Sequence, residues 1–112
     1  CAAGELKHGT LALVEEGFPV LAVATSRRLA QKCENALAEA KARGAYAALF
    51  SQYEDVLSES CADFTCRLPA VTEALMPVVA VIPLQYFACS MCLLRGYDPD
   101  KPRNLAKSVT VE

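Results

Sequence analysis

Two short apolar runs on either side of one amphipathic segment constrain this chain more than any other feature in it. The runs are "FPVLAVAT" (residues 18–25) and "AYAALF" (residues 45–50), and "SRRLAQKCENALAEAKARG" lies between them. A short uninterrupted apolar run bounded by Gly and Ser is the pattern of a strand buried on both faces. In the middle segment Ser26 offers an N-cap, Leu29, Cys33, Leu37 and Ala40 fall on one helical face, and Gly44 ends the pattern. Strand, helix and strand at this spacing make a βαβ unit, whose strands are parallel and whose crossover is right-handed. The polar stretch "SQYEDVLSES" leads to a third candidate strand in "FTCRLP". The fold class expected is therefore α/β with a parallel sheet.

The flanks are read less directly. Residues 4–14 resemble a turn entering a short helix, with Gly17 as its stop. Residues 74–94, "ALMPVVAVIPLQYFACSMCLL", run for 21 residues without a charge. That length is enough to span a bilayer. Gln85 and Ser90 within the stretch, its interruptions at Pro77 and Pro83, and the need of a parallel sheet for an apolar cover favour a buried helix instead. Arg95-Gly96 should end it, and Pro99 and Pro102 should keep the tail extended. Two or three strands make a narrow sheet, and no Gly/Ser/Thr-rich phosphate loop succeeds any of them. With a first residue of Cys1 rather than Met, the chain reads as a piece of a longer protein whose domain begins upstream.

The 112 residues, 54% hydrophobic and 21% charged, suffice for one folded domain and exclude disorder. A net charge of −2 with scattered basic residues leaves no electrostatic footprint for nucleic acid. "CAAGELKHG" carries charge and glycine where the apolar core of a signal peptide would lie. Six cysteines permit a disulfide reading, but four lie in or beside apolar periodic segments, so reduced thiols and a cytoplasmic location are expected.

Few residues invite chemistry. His8, the only histidine, sits in "ELKHG" beside Lys7 and is the side chain best suited to moving a proton near neutral pH, although a surface or capping role would be the ordinary one. Cys89 and Cys92 have metal-like spacing, with Cys61 and Cys66 upstream. A zinc knuckle needs a turn that aims both sulfurs at the metal, whereas this pair lies mid-helix, so no metal site is expected. Glu15-Glu16, Glu54-Asp55 and Asp98/Asp100 lack the apolar flanks that would raise a carboxyl pKa and read as solvated. Lys107, flanked by Leu105, Ala106 and Val109, would lie in apolar surroundings if the tail packs back, and such an amine can attack a carbonyl.

Two stretches go further. "AAGELKHGTLALVEEGFPVLAVA" and "DPDKPRNLAKSVTVE" closely resemble the C-terminal isomerase domain of the glutamine–fructose-6-phosphate aminotransferases, a family of sugar-isomerase (SIS) domains. The resemblance implies a three-layer, flavodoxin-like SIS subdomain over residues 1–97, incomplete on its N-terminal side, and a tail over 98–112 that closes a sugar site. It also implies a cytoplasmic homodimer acting on fructose 6-phosphate and on ammonia from a glutaminase domain, with no cofactor, nucleic acid or membrane. His8 would open the sugar ring from the neighbouring subunit, and Lys107 would be the candidate imine-forming amine. Ala106 and Val109 would border the ammonia passage. The isomerisation base and the phosphate loop would precede Cys1, so the segment alone is not expected to turn over. The family's proline after "KHG" is Thr10 here. The rival reading is a non-catalytic SIS domain that binds a sugar phosphate or only dimerises.

Overall fold

A computed structural model describes residues 1–58 and 60–101. The chain divides into two compact units, Cys1–Ala80 and a second that begins at Val81. The first unit is built on a three-stranded sheet of β1 (Pro19–Ala24), β2 (Tyr46–Ser51) and β3 (Phe64–Arg67), in the order β1-β2-β3. Both pairings are parallel, as expected: Pro19 to Ala24 run in register with Tyr46 to Ser51, and Ala48 to Ser51 with Phe64 to Arg67. Helix α1 (Arg27–Lys41) makes the β1-to-β2 crossover.

Helix α1 packs through small side chains. Ala30, Cys33 and Leu37 join Ala47 and Leu49 of β2 and Val56, Cys61 and Ala62 in one core cluster. Ala36 and Ala40 join Leu6, Leu11 and Ala45 in a second. Leu29, expected on the buried face, is 46% exposed, and Ala30 beside it is buried. The rest of the expected face, Cys33, Leu37 and Ala40, is buried as read from the sequence. The helix ends where Gly44, at φ +92°, donates to Lys41 O at 2.9 Å and Ala45 donates to Ala40 O at 3.2 Å. This double bond pattern is the glycine-terminated helix end anticipated from the sequence.

Central strand β2 is buried from Ala47 to Ser51, as a strand with both faces covered should be. Strand β1 departs from that expectation: only Ala24 is buried, and Val20 to Val23 are half-buried. Among the described residues β1 is an edge strand, and an edge has a neighbour on one side only. The segment before β1 forms two 3-10 turns, Ala3–His8 and Thr10–Leu13, rather than a single short helix.

Helix α2 (Met76–Leu94) carries Pro77 in its first turn, where a missing N–H costs nothing, and Pro83 inside it. Its length and composition would allow it to cross a membrane. The expectation of a buried helix is not met. Met76 and Ala80 are buried, whereas Val78, Ile82, Tyr86 and Leu94 are 64%, 61%, 76% and 81% exposed. Apolar composition states what a helix can bury, and only an element that reaches it decides what is buried. Helix α2 ends at Gly96, φ +73°, with Gly96 donating to Leu93 O at 2.9 Å and Tyr97 to Cys92 O at 3.0 Å. Residues 98–101 turn instead of extending: Lys101 donates to Asp98 O at 3.1 Å and Asp100 to Asp98 Oδ1 at 3.0 Å.

Candidate functional site

In an open parallel sheet ligands bind beyond the C-terminal ends of the strands. Here Ala24 and Ser51 end β1 and β2 side by side, and Arg67 ends β3 next to Ser51. The fully buried Ser51 ties this edge together: its hydroxyl donates to Ala24 O at 3.3 Å and accepts from Tyr53 N at 3.0 Å, and its carbonyl accepts from Leu68 N at 2.8 Å. Gln52 Oε1 accepts from Val71 N at 2.9 Å, which holds the segment after β3 against the same edge.

A charged cluster covers this edge. Arg27, the first residue of α1, donates its backbone N–H to Glu73 Oε1 at 2.6 Å. Its guanidinium bonds both oxygens of Asp55, at 2.6 and 2.8 Å, and lies 5.4 Å from the centre of the Tyr53 ring. The Tyr53 hydroxyl donates to Glu73 Oε1 at 3.1 Å. The Arg27 N–H, then the Tyr53 hydroxyl, with smaller help from Ser26 and Arg28, hold the Glu73 carboxyl below the usual carboxylate range. The bond from Arg27 does the same for Asp55. The helix N-terminus, a natural anion site, is therefore filled by the chain's own carboxylate.

Beside it, a cavity of about 400 Å³ opens between the first 3-10 turn and the β1–α1 junction, lined by Gly4, Ala24, Thr25, Ser26, Lys32 and Cys33 among others. Burial pushes the Cys33 thiol up, with Cys61 adding to the effect, so it stays protonated and is not a nucleophile. The crevice offers two hydroxyls and one ammonium on an apolar wall, a set that can hold a polar ligand but contains no acid–base pair.

His8 ends the first 3-10 turn and is exposed. The two residues before it anchor the turn: Leu6 is buried in the second core cluster, and the exposed Lys7 pairs through Nζ with Glu39 of α1 at 2.6 Å. His8 is left outside the lining of this crevice. Ala106, Lys107 and Val109 lie outside the described residues. Sequence reasoning does not find Arg27, Tyr53, Asp55 and Glu73 as a cluster, and takes Asp55 as merely solvated. Their common signal is topological, because each comes after the C-terminal end of a strand.

The family model for the SIS domain matches residues 2–95. The chain belongs to the SIS domain family. Among curated relatives, the glutamine–fructose-6-phosphate aminotransferase [isomerizing] of Thermococcus kodakarensis is 51% identical over 111 residues, covering 99% of this chain and 18% of the relative. The enzyme of the same name from Caldanaerobacter subterraneus is 49% identical, over 98% of this chain and 18% of its own length. A solved structure, the C-terminal domain of glucosamine-fructose-6-phosphate aminotransferase from Francisella tularensis, superposes with a TM-score of 0.77 at 34% identity, covering 86% of this chain and 27% of that one. This SIS chain thus spans about a fifth of the relatives it matches, and corresponds to an isomerase-domain segment of theirs. The resemblance read from "ELKHG" and "NLAKSVTVE" and the parallel α/β class both hold.

Proposed function

We propose that this chain is the C-terminal part of the isomerase domain of a glutamine–fructose-6-phosphate aminotransferase. The enzyme would make glucosamine 6-phosphate and glutamate from fructose 6-phosphate and glutamine. The observation that carries the reading is 51% identity sustained across 99% of the chain to a protein of that name. A domain kept only for dimerisation would have no use for an exposed histidine on an anchored turn or for a lysine in an apolar tail.

In this reading His8 moves a proton from the anomeric hydroxyl to the ring oxygen, which opens the ring; an imidazole has one acceptor and one donor nitrogen for the two halves of that transfer. Leu6, buried in the core, and the surface pair Lys7–Glu39 fix the turn and leave His8 exposed, which supports a role for it toward a neighbouring subunit of a homodimer. Lys107 is the amine at the sugar's carbonyl end, where an imine would form with loss of water. Residues 98–112 close over the sugar, with Ala106 and Val109 keeping water from the ammonia passage. The base that carries a proton between adjacent carbons is supplied outside these residues. The assembly is cytoplasmic and needs neither membrane nor nucleic acid.

The test uses the full-length protein that carries this chain. Glucosamine 6-phosphate formation and glutamine hydrolysis are measured for wild type, His8→Ala and Lys107→Ala. Synthesis is expected to fall at least about a hundredfold in each variant while glutamine hydrolysis persists. Normal synthesis in both variants would leave ancestry as the only content of the resemblance and favour the non-catalytic SIS reading.

A further inference from the structure

Among the described residues no hydrogen bond or ion pair fixes the His8 imidazole. Its place is inherited from the backbone of the Ala3–His8 turn, which is weakly held at both ends. Ala2 before the turn makes no side-chain cap bond, and Gly9 after it, at φ +147°, is the residue type that pivots most freely. A 3-10 segment this short adds little stiffness of its own. We infer that Glu39 of α1 is a positioning residue for His8, acting through Lys7, a role that rests on the reading of His8 as the group that opens the sugar ring.

Two side chains tie the turn to the body of the first unit. Leu6 is buried among Leu11, Ala36, Ala40 and Ala45. One buried side chain fixes a distance and leaves rotation about that point. Lys7 Nζ, 2.6 Å from Glu39 Oε1, is a second point, and it removes most of that freedom. Close packing does not do so instead. A cavity of about 200 Å³ is lined from the turn by Gly4 and Lys7 and from the helix by Asn35, Ala36 and Glu39, and a Cβ added to Gly4 would meet no atom within 4 Å. Glu39 is a firm anchor, because it lies on α1 between the buried Ala36 and the fully buried Ala40. With Lys7 57% and Glu39 37% exposed, the pair contributes little to stability. Its effect is on orientation, on which proton transfer depends steeply.

The test uses the full-length protein that carries this chain, with fructose 6-phosphate as substrate and sorbitol 6-phosphate as a probe that has no ring to open. Glucosamine 6-phosphate synthesis should fall roughly tenfold in Lys7→Ala and in Glu39→Ala, no further in the double variant, and recover when Lys7→Glu is combined with Glu39→Lys. Inhibition by sorbitol 6-phosphate and the melting temperature should stay at their wild-type values, which a general loosening of the site would not allow. Normal synthesis in Glu39→Ala, a double variant that multiplies the single losses, no recovery in the reversed pair, or weakened sorbitol 6-phosphate inhibition would each overturn the inference. His8→Ala, measured alongside, separates the two readings. Normal synthesis there removes the ring-opening role and this inference with it, whereas a collapse there beside a normal Glu39→Ala removes the positioning role alone.

Discussion

Glu73 joins two segments that are far apart in sequence, since its carboxylate accepts both the first N–H of α1 and the Tyr53 hydroxyl. Glu73→Gln keeps an acceptor oxygen and loses the charge, and Glu73→Ala loses both. Thermal stability at neutral pH should therefore rank wild type above Gln and Gln above Ala, as read from melting curves. The pH dependence comes from the direction of the shift. The folded-state carboxyl is held low, so its contribution is complete above the ordinary glutamate range and is lost as pH falls through the lowered value. Wild type and Glu73→Gln should converge in strongly acidic solution. Asp63 obeys the same sign at the opposite end of the strands. It accepts the Ala47 N–H at 2.8 Å and pairs with Lys41 at 3.1 Å, and the first of these contacts is the larger cause of its lowered pKa. Asp63→Asn should flatten the acid limb of the melting-temperature profile, and an unchanged limb would show that neither contact persists in solution.

At the scale of elements, the helix ends give the sharpest contrast. A Cβ added to Gly44 would lie 2.9 Å from the Glu16 backbone and press on its carboxylate, whereas around Gly96 there is open space. Both glycines have positive φ, so alanine strains each. Gly44→Ala should cost more than about 1 kcal/mol, and Gly96→Ala, having only the backbone cost, should cost less; urea unfolding with an unchanged slope measures both. In the core, Leu49→Ala should cost about 2–5 kcal/mol by the same method, because Leu49 is fully buried in the central strand. These elements are legible in the sequence because each is declared locally: an apolar run, a 3.6-residue stripe, a terminating glycine. Leu29, β1 and α2 are misread for one shared reason. Periodicity shows which side chains can be buried, and their burial depends on whether another surface arrives, which no local pattern records. The candidate residues divide in the same way. His8 is legible as a histidine on a turn, whereas the Arg27–Asp55–Glu73 cluster exists only once three strand ends are brought side by side.

For the whole molecule, the decisive quantity is the apolar surface carried by α2, whose Val78, Ile82, Tyr86 and Leu94 are all more than half exposed. Water-exposed apolar surface on this scale marks an interface, and such surface drives association in proportion to its area. Net charge of −2 on the whole chain supplies little repulsion to oppose it. The 112-residue chain on its own should therefore associate with rising concentration in sedimentation-velocity runs. Replacing Val78 and Ile82 by glutamate should restore the monomer, since both positions are more than half exposed and no packed core is broken. If the apolar surface instead serves a bilayer, the wild-type chain would co-float with neutral phosphatidylcholine vesicles and the glutamate variant would not. The SIS reading expects association without flotation, because a domain segment covered by its own protein has no reason to prefer lipid over protein. A wild-type chain that remains monomeric at high concentration and stays off the vesicles would show that α2 folds against the chain itself in solution.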